Sequence, residues 1–187
     1  PGMHVITVMG DGDALAIGGN HFIHSCRRNI GITAIVVNNS IYGMTGGQVS
    51  PTTPYGANAT TATYGSIDPP FQTCELAKAA GATFVARATV YHTTELVSIL
   101  AKAFSKNGFS LVEIISQCPV QYGRLNKQGA ATEMLKAQRD VTIGIEAAAR
   151  LTPEELGEKI IRGVLVDREA PEYTEMYAEI IKKARGS

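Results

Sequence analysis

No stretch of the chain reaches the roughly 18–20 consecutive apolar residues that a membrane span requires. The N-terminus carries no basic, apolar and small-residue series, so no signal peptide is visible. Charge of one sign is also missing: 17 basic side chains face 17 acidic ones. That balance argues against nucleic acid or an anionic membrane as the main partner. Cysteine is sparse. Cys26, Cys74 and Cys118 form no CxxC pair, and an odd, scattered set fits a reducing cytoplasm better than a disulfide scaffold. No internal repeat or low-complexity linker divides the chain.

What is present is one domain's worth of globular sequence, 187 residues with 44% hydrophobic content. Val5–Met9 reads as a strand buried on both faces. Asp13 caps a following helix over 14–29, with Ala14, Ile17, Phe22 and Ile23 on or near one side. Gly18-Gly19 inside it permits close backbone packing, and Gly31 ends it. A second strand covers 32–37. From Asn38 to Pro70 the sequence is rich in Gly, Pro, Thr and Asn and has little periodicity, and a loop that long is usually functional. Asp68-Pro69-Pro70 reads as a helix start. Strands over 83–89 and 109–116 enclose a helix from Thr93 or Thr94 to about Lys106. Such alternation indicates βαβ units and a mostly parallel, doubly wound α/β sheet flanked by helices. Beyond Cys118 the pattern changes to a C-terminal helical extension. It has a capping box at Thr152-Pro153-Glu154-Glu155 and a last helix from Pro171. The expected division is 1–118 for the α/β domain and 119–187 for an extension of that same domain.

Two polar clusters each close an apolar run: Gly10-Asp11-Gly12 after the first strand, and Asn38-Asn39 after the second. Loops at the carboxyl ends of neighbouring parallel strands face one crevice, where ligands bind. Asp11 and Asn39 can meet there as two hard oxygen donors, which suits Mg²⁺. Glycine lets backbone N–H groups approach a phosphate, and the amino end of a helix favours negative charge. Gly12 and Asp13 would place N–H groups there, with the Asp13 carboxylate turned away.

This pattern resembles the thiamine diphosphate signature, a GDG followed at a distance by NN. Here it reads GDGDALAIGGNHFIHSCRRNIGITAIVVNN. The next string, IYGMTGGQ, followed by Ser50-Pro51-Thr52-Thr53, is similar to the β subunit of 2-oxoacid:ferredoxin oxidoreductases, most of all the 2-oxoglutarate branch. The resemblance implies a thiamine diphosphate-binding fold and a subunit of an enzyme that converts a 2-oxoacid to its acyl-coenzyme A, with electrons passed to ferredoxin. It implies Mg²⁺ ligands at Asp11, at the side chain of Asn39 and at the backbone carbonyl of Ile41. It implies cofactor contacts at Gly10, Asp11, Gly12, Asp13, Asn39, Ile41, Gly43, Met44 and Thr45. Met44 and Thr45 stand nearest the substrate, and an apolar Met44 favours 2-oxoglutarate over pyruvate. Cys118 matches the fourth ligand of a [4Fe-4S] cluster. In the family the other three come from an N-terminal segment, and Pro1-Gly2 leading at once into a strand reads as a cut through such a subunit. The pyrimidine half of the site, with its activating glutamate, comes from a partner α subunit, so the fragment alone is expected to be inactive.

Other readings are duller. Cys26 and Cys74 are taken as packing residues within helices, His21 and His24 as core or interface packing, and His92 as a solvated or capping residue. A nicotinamide-binding domain fails because Leu15 stands at the third glycine and no acid ends the second strand. A pyruvate-specific member and a non-oxidative 2-oxoacid decarboxylase are the alternatives within thiamine chemistry, and TGGQ with Cys118 speaks against the decarboxylase.

Overall fold

The computed structural model describes residues 3–186. Strand β1 (Val5–Gly10), β2 (Ile32–Asn38), β3 (Phe84–Thr89) and β4 (Ser110–Ile115) pair in parallel, in the spatial order β1-β2-β4-β3. β-Branched residues fill these runs because branching at Cβ packs well on a pleated surface. Helices α1 (Gly19–Arg28) and α2 (Thr73–Ala79) cover one face, where Phe22, Cys26, Val36, Cys74, Ala77, Val85 and Leu111 pack together. Helix α3 (Thr93–Ser105) covers the other, over Ile35, Phe84, Val112 and Ile114. Each large side chain fully buried in this way contributes about 1.5–3 kcal/mol. Small residues in the helices, such as Ala77 and Ala103, let them sit close to the sheet.

Strand β1 differs from expectation. Both of its faces are not buried: Val8 is 68% exposed and Val5 51%. β1 is the sheet's outer strand, and among the described residues none pairs with its free edge. An apolar run reports surface that can be covered, not that this chain covers it.

The segment after β1 is not one regular helix. It starts at Asp11, makes a π turn (Asp13–Ile17), breaks at Gly18 and resumes as α1. The Gly18 N–H donates to the Asp13 carbonyl at 2.9 Å, five residues back. A Cβ on Gly18 would stand 2.3 Å from that oxygen, so the π turn requires glycine here. Ile17, expected to be inward, is 89% exposed as a result. Asp13 caps from inside the turn: its Oδ2 accepts the Gly10 N–H at 3.2 Å.

Residues 39–72 hold only isolated bridges, Tyr42 with Gln48 and Ala59 with Ala62. The helix expected at Asp68 begins five residues later, at Thr73, because the Phe71 N–H is committed to the Pro51 carbonyl. The C-terminal segment holds more than helices. After α4 (Ala131–Val141) come a short strand β5 (Thr142–Gly144), α5 (Ile145–Ala148) and α6 (Pro153–Leu156). Strand β6 (Ile160–Asp167) then lies antiparallel to β3, with β5 beyond it, and α7 (Tyr173–Ala184) ends the fold. The expected capping box forms: Thr152 N–H donates to Glu155 Oε2 at 2.9 Å, and Glu155 N–H to Thr152 Oγ1 at 3.3 Å.

At the amino ends of the strands, Asn29 ties four segments together. It adopts a left-handed φ of 51°. Its Oδ1 accepts from the Thr83 hydroxyl at 2.9 Å and the Phe109 N–H at 2.8 Å, and its Nδ2 donates to the carbonyls of Ala170 and Pro171. Glu172 completes the tie. Its carboxylate accepts the N–H groups of Gly31, Thr174 and Glu175.

Replacing Gly18 by Ala is expected to destabilise the protein by about 2 kcal/mol, as overpacking does. Thermal unfolding would then fall by roughly 4–8 °C. An unchanged melting temperature would refute the steric role of Gly18.

Candidate functional site

Strands β1 and β2 end side by side, with Gly10 paired to Val37. Asp11 and Asn38 therefore leave the sheet as neighbours. Asp11 is 2% exposed, an expensive place for a carboxylate unless it is held by hydrogen bonds. Two hydroxyls hold it. Ser50 Oγ and Thr52 Oγ1 each lie 2.5 Å from Oδ2, and Oδ1 accepts no hydrogen bond from a described residue. The Thr52 hydroxyl also lies 3.0 Å from Asn38 Oδ1, within donating distance of both acceptors.

Asn38 Oδ1 accepts the Ser40 N–H at 3.1 Å, and Asn39 Oδ1 accepts the Ile41 N–H at 3.2 Å. These two side-chain turns sit on Ser40 in a left-handed conformation, φ 62°. Thr53 braces the bend by donating to the Ser40 carbonyl at 2.7 Å and accepting the Ser50 N–H at 2.8 Å. The Ile41 side chain is buried, which fixes its backbone. Asp11 is thus joined to Asn38 through Thr52, while Asn39 stands next in the chain with its amide oxygen on Ile41.

Gly12 lies flat against Tyr42. A Cβ there would fall 2.1 Å from the ring, and the Tyr42 hydroxyl donates to the Gly12 carbonyl at 3.2 Å. The TGGQ turn closes on itself, with Thr45 Oγ1 donating to Gln48 Oε1 at 2.6 Å and Gln48 Nε2 to the Thr45 carbonyl at 2.9 Å. Gly46 and Gly47 take φ of 116° and 93°, open to glycine with little strain. Met44 and Thr45 project outward, Met44 fully exposed. Cys118 lies beside Gly43: a Cβ on Gly43 would come 3.3 Å from its Sγ and 3.8 Å from Asn39 Nδ2. His21 is exposed and His24 half-buried, so His21 is not a core residue. The helix turns it outward because Phe22 and Cys26 take the inward face. His92 precedes α3, its Nδ1 2.8 Å from Thr89 Oγ1.

Behind Asn38 lies a charged pair that the sequence reading did not single out. Glu113 on β4 and Arg87 on β3 are register partners on the α2 face. Arg87 Nε donates to Glu113 Oε2 at 2.6 Å, and Asn38 Nδ2 donates to Oε1 at 2.8 Å. The Cys74 thiol points at Oε2 from 3.3 Å. Burial alone would raise the Glu113 value, but Arg87 and the hydrogen bond from Asn38 hold it below the ordinary 4.5. Burial, with the Glu113 charge beside it, pushes the Cys74 thiol well up. Burial also takes Cys26 up to about 12. The available signal was one acid in the run SLVEII and one base in FVARAT, single opposite charges in otherwise apolar strands. Ser50 and Thr52 stand in the string that carries the family resemblance, but nothing in the sequence tied their hydroxyls to Asp11.

The residues at the strand ends fit a magnesium–diphosphate group. A fixed carboxylate keeps one oxygen clear of donors among the described residues, an amide and a backbone turn lie nearby, and a glycine-floored helix start adjoins them. A family model described as thiamine pyrophosphate enzyme, C-terminal TPP binding domain, matches residues 1–114. The 2-oxoglutarate synthase subunit KorB of Methanocaldococcus jannaschii is 50% identical over 99% of this chain and 68% of its own length. The chain belongs to the thiamine pyrophosphate enzymes. Within them it is a homologue of the KorB β subunits. KorB of Methanothermobacter marburgensis is 45% identical over the whole chain and 65% of that protein, so this chain spans about two thirds of the curated relatives it matches. A solved 2-oxoglutarate:ferredoxin oxidoreductase from Magnetococcus marinus, with 2-oxoglutarate, coenzyme A and succinyl-CoA bound, superposes with a TM-score of 0.81 at 30% identity. The match covers 95% of this chain and 61% of that one. Among the described residues no helix is long and apolar enough to cross a membrane.

Two measurements check this description. Alkylation of the native protein with iodoacetamide is expected to modify Cys118 and spare Cys26 and Cys74, with all three modified in urea. Mass spectrometry showing early modification of Cys74 would contradict its burial. Because Glu113 titrates below 4.5 in the folded state, its ion pair adds stability above that pH and loses it as the pH falls. Replacing Glu113 and Arg87 together by Leu should therefore flatten the fall in melting temperature below about pH 5. A fall as steep as the wild type's would show that the pair does not drive it.

Proposed function

We propose that this chain is the thiamine diphosphate-holding β subunit of a 2-oxoacid:ferredoxin oxidoreductase. Its substrate is 2-oxoglutarate, its acyl acceptor coenzyme A and its electron acceptor ferredoxin. The observation that carries this reading is the Asp11 carboxylate, buried, oriented by two hydroxyls through one oxygen and, among the described residues, clear of donors at the other. Asp11, the Asn39 side chain and the Ile41 carbonyl would hold Mg²⁺. The Gly10–Asp13 segment at the helix start and the Gly43–Thr45 loop would hold the diphosphate. Thiamine diphosphate, when bound, supplies the nucleophilic carbon and the electron sink that let a 2-oxoacid lose CO₂.

The chain's own residues bind and orient. Ser50 and Thr52 hold and aim the Asp11 carboxylate, and Tyr42 on Gly12 keeps the loop against the helix start. Exposed Met44 stands at the rim, where an α subunit would bring the pyrimidine half of the site and close it against water. The names of the KorB relatives and the ligands of the Magnetococcus enzyme support 2-oxoglutarate as substrate. Cys118, beside Gly43, would ligate a [4Fe-4S] cluster in the intact subunit and lead electrons toward ferredoxin. We place the assembly in the cytoplasm, a compartment that keeps such thiols reduced.

The test uses the assembled complex. Wild type is expected to bind thiamine diphosphate with Mg²⁺ in calorimetry and to reduce ferredoxin in the presence of coenzyme A and 2-oxoglutarate, with far lower kcat/KM for pyruvate. Asp11→Asn should weaken Mg²⁺-dependent cofactor binding on the order of 100-fold, since even outer partners of a metal site cost 10–100-fold. Binding by Asp11→Asn as tight as wild type would remove the metal role.

A further inference from the structure

The Arg87–Glu113 pair calls for an explanation beyond stability. Buried ion pairs are often no better than apolar residues of similar size, because desolvation offsets the attraction. Here the pair does something that apolar residues could not. Glu113 Oε1 accepts from Asn38 Nδ2, which forces the amide oxygen of Asn38 to the opposite side. That oxygen receives the Ser40 N–H and faces the Thr52 hydroxyl at 3.0 Å. Thr52 in turn lies 2.5 Å from Asp11 Oδ2. Arg87 fixes the far end, its Nη1 donating to the Ile161 carbonyl on β6 at 3.2 Å. A chain of polar contacts therefore runs from β6 through β3, β4 and β2 to Asp11, with the single Thr52 proton shared between Asn38 Oδ1 and Asp11 Oδ2.

We infer that Glu113 is a positioning residue for cation binding: it sets the orientation of the Asn38 amide, and through Asn38 and Thr52 it aims the Asp11 carboxylate. This rests on the reading of Asp11 as a magnesium ligand. An unanchored Asn38 could rotate its amide, present Nδ2 to Thr52 and lose the Ser40 turn. Thr52 and Asp11 would then sample more than one arrangement, and cation affinity would fall without any ligand being removed.

The experiment measures Mn²⁺ affinity by electron paramagnetic resonance on the assembled complex with thiamine diphosphate present. Glu113→Gln and Thr52→Val are each expected to weaken Mn²⁺ binding roughly tenfold, at the lower end for outer partners of a metal site. Thr52→Ser, which keeps the hydroxyl, should bind as wild type does. Because the two positions act in series, the double variant should be no weaker than Thr52→Val alone, whereas independent sites would multiply. Hydrogen exchange of the Ser40 and Ile41 amides, measured without metal, should quicken in Glu113→Gln. Should Glu113→Gln fail to assemble, Glu113→Leu with Arg87→Leu removes both charges and is expected to show the same weakened binding. Wild-type affinity in a folded Glu113 variant overturns the inference while leaving Asp11 as ligand, and so do multiplying effects in the double variant. Absence of Mn²⁺ binding by the wild-type complex overturns the reading of Asp11 and the relay with it.

Discussion

The grip of two hydroxyls on one buried carboxylate organises the functional end of this molecule. Ser50 and Thr52 stand 39 and 41 residues from Asp11 in sequence. Their contact fastens the irregular 39–72 segment to the carboxyl end of β1. Without it Asp11 would be a buried carboxyl stripped of its two hydroxyl partners, and the long loop would lose one of its ties to the strand ends. With it a segment of no regular structure becomes a fixed wall. The same contact leaves the carboxylate half satisfied, and hard cations favour a set of fixed oxygen donors of that kind.

The sheet decides where that grip can occur. Parallel pairing puts Gly10 level with Val37 and Glu113 level with Arg87, so polar residues from four strands meet in two adjacent rows. The row at the strand ends meets the ligand side. The row one step below holds opposite charges that compensate each other. Alternation along the strands sends Asn38, Glu113 and Arg87 to the α2 face and leaves the opposite face to Ile35, Phe84 and Val112. The α2 face therefore carries the polar groups as well as a packed core, while the α3 face carries packing.

Much of this was legible from residue order. The runs at 32–37, 83–89 and 109–116 are mostly apolar, bounded by turns and spaced by helices, and the resulting strands differ from expectation by only a residue or two at each end. Asp11 and the glycines around it stood out because GDG, NN and TGGQ follow one another in the order and spacing of a known signature, while a polar cluster after a strand end is ordinary by itself. Three things were hidden, each for a physical reason. Strand β6 contains Arg162, Gly163 and Asp167, and an antiparallel edge partner need not be continuously apolar. The π turn depends on a carbonyl meeting Gly18, which a helical period does not encode. The Ser50–Thr52–Asn38 contacts join loop positions that no spacing rule connects, so only coordinates bring them together.

Asn29 and Glu172 give the opposite end of the sheet a different character. Four chain segments are pinned there by short polar contacts around one left-handed residue, and the last helix is fastened to the start of β2. That end behaves as a clamped base. Adjustment on the arrival of a ligand or a neighbouring subunit is left to the upper rim, by rotation of exposed side chains such as Met44. The fold thereby separates a stiff foundation from an adaptable mouth.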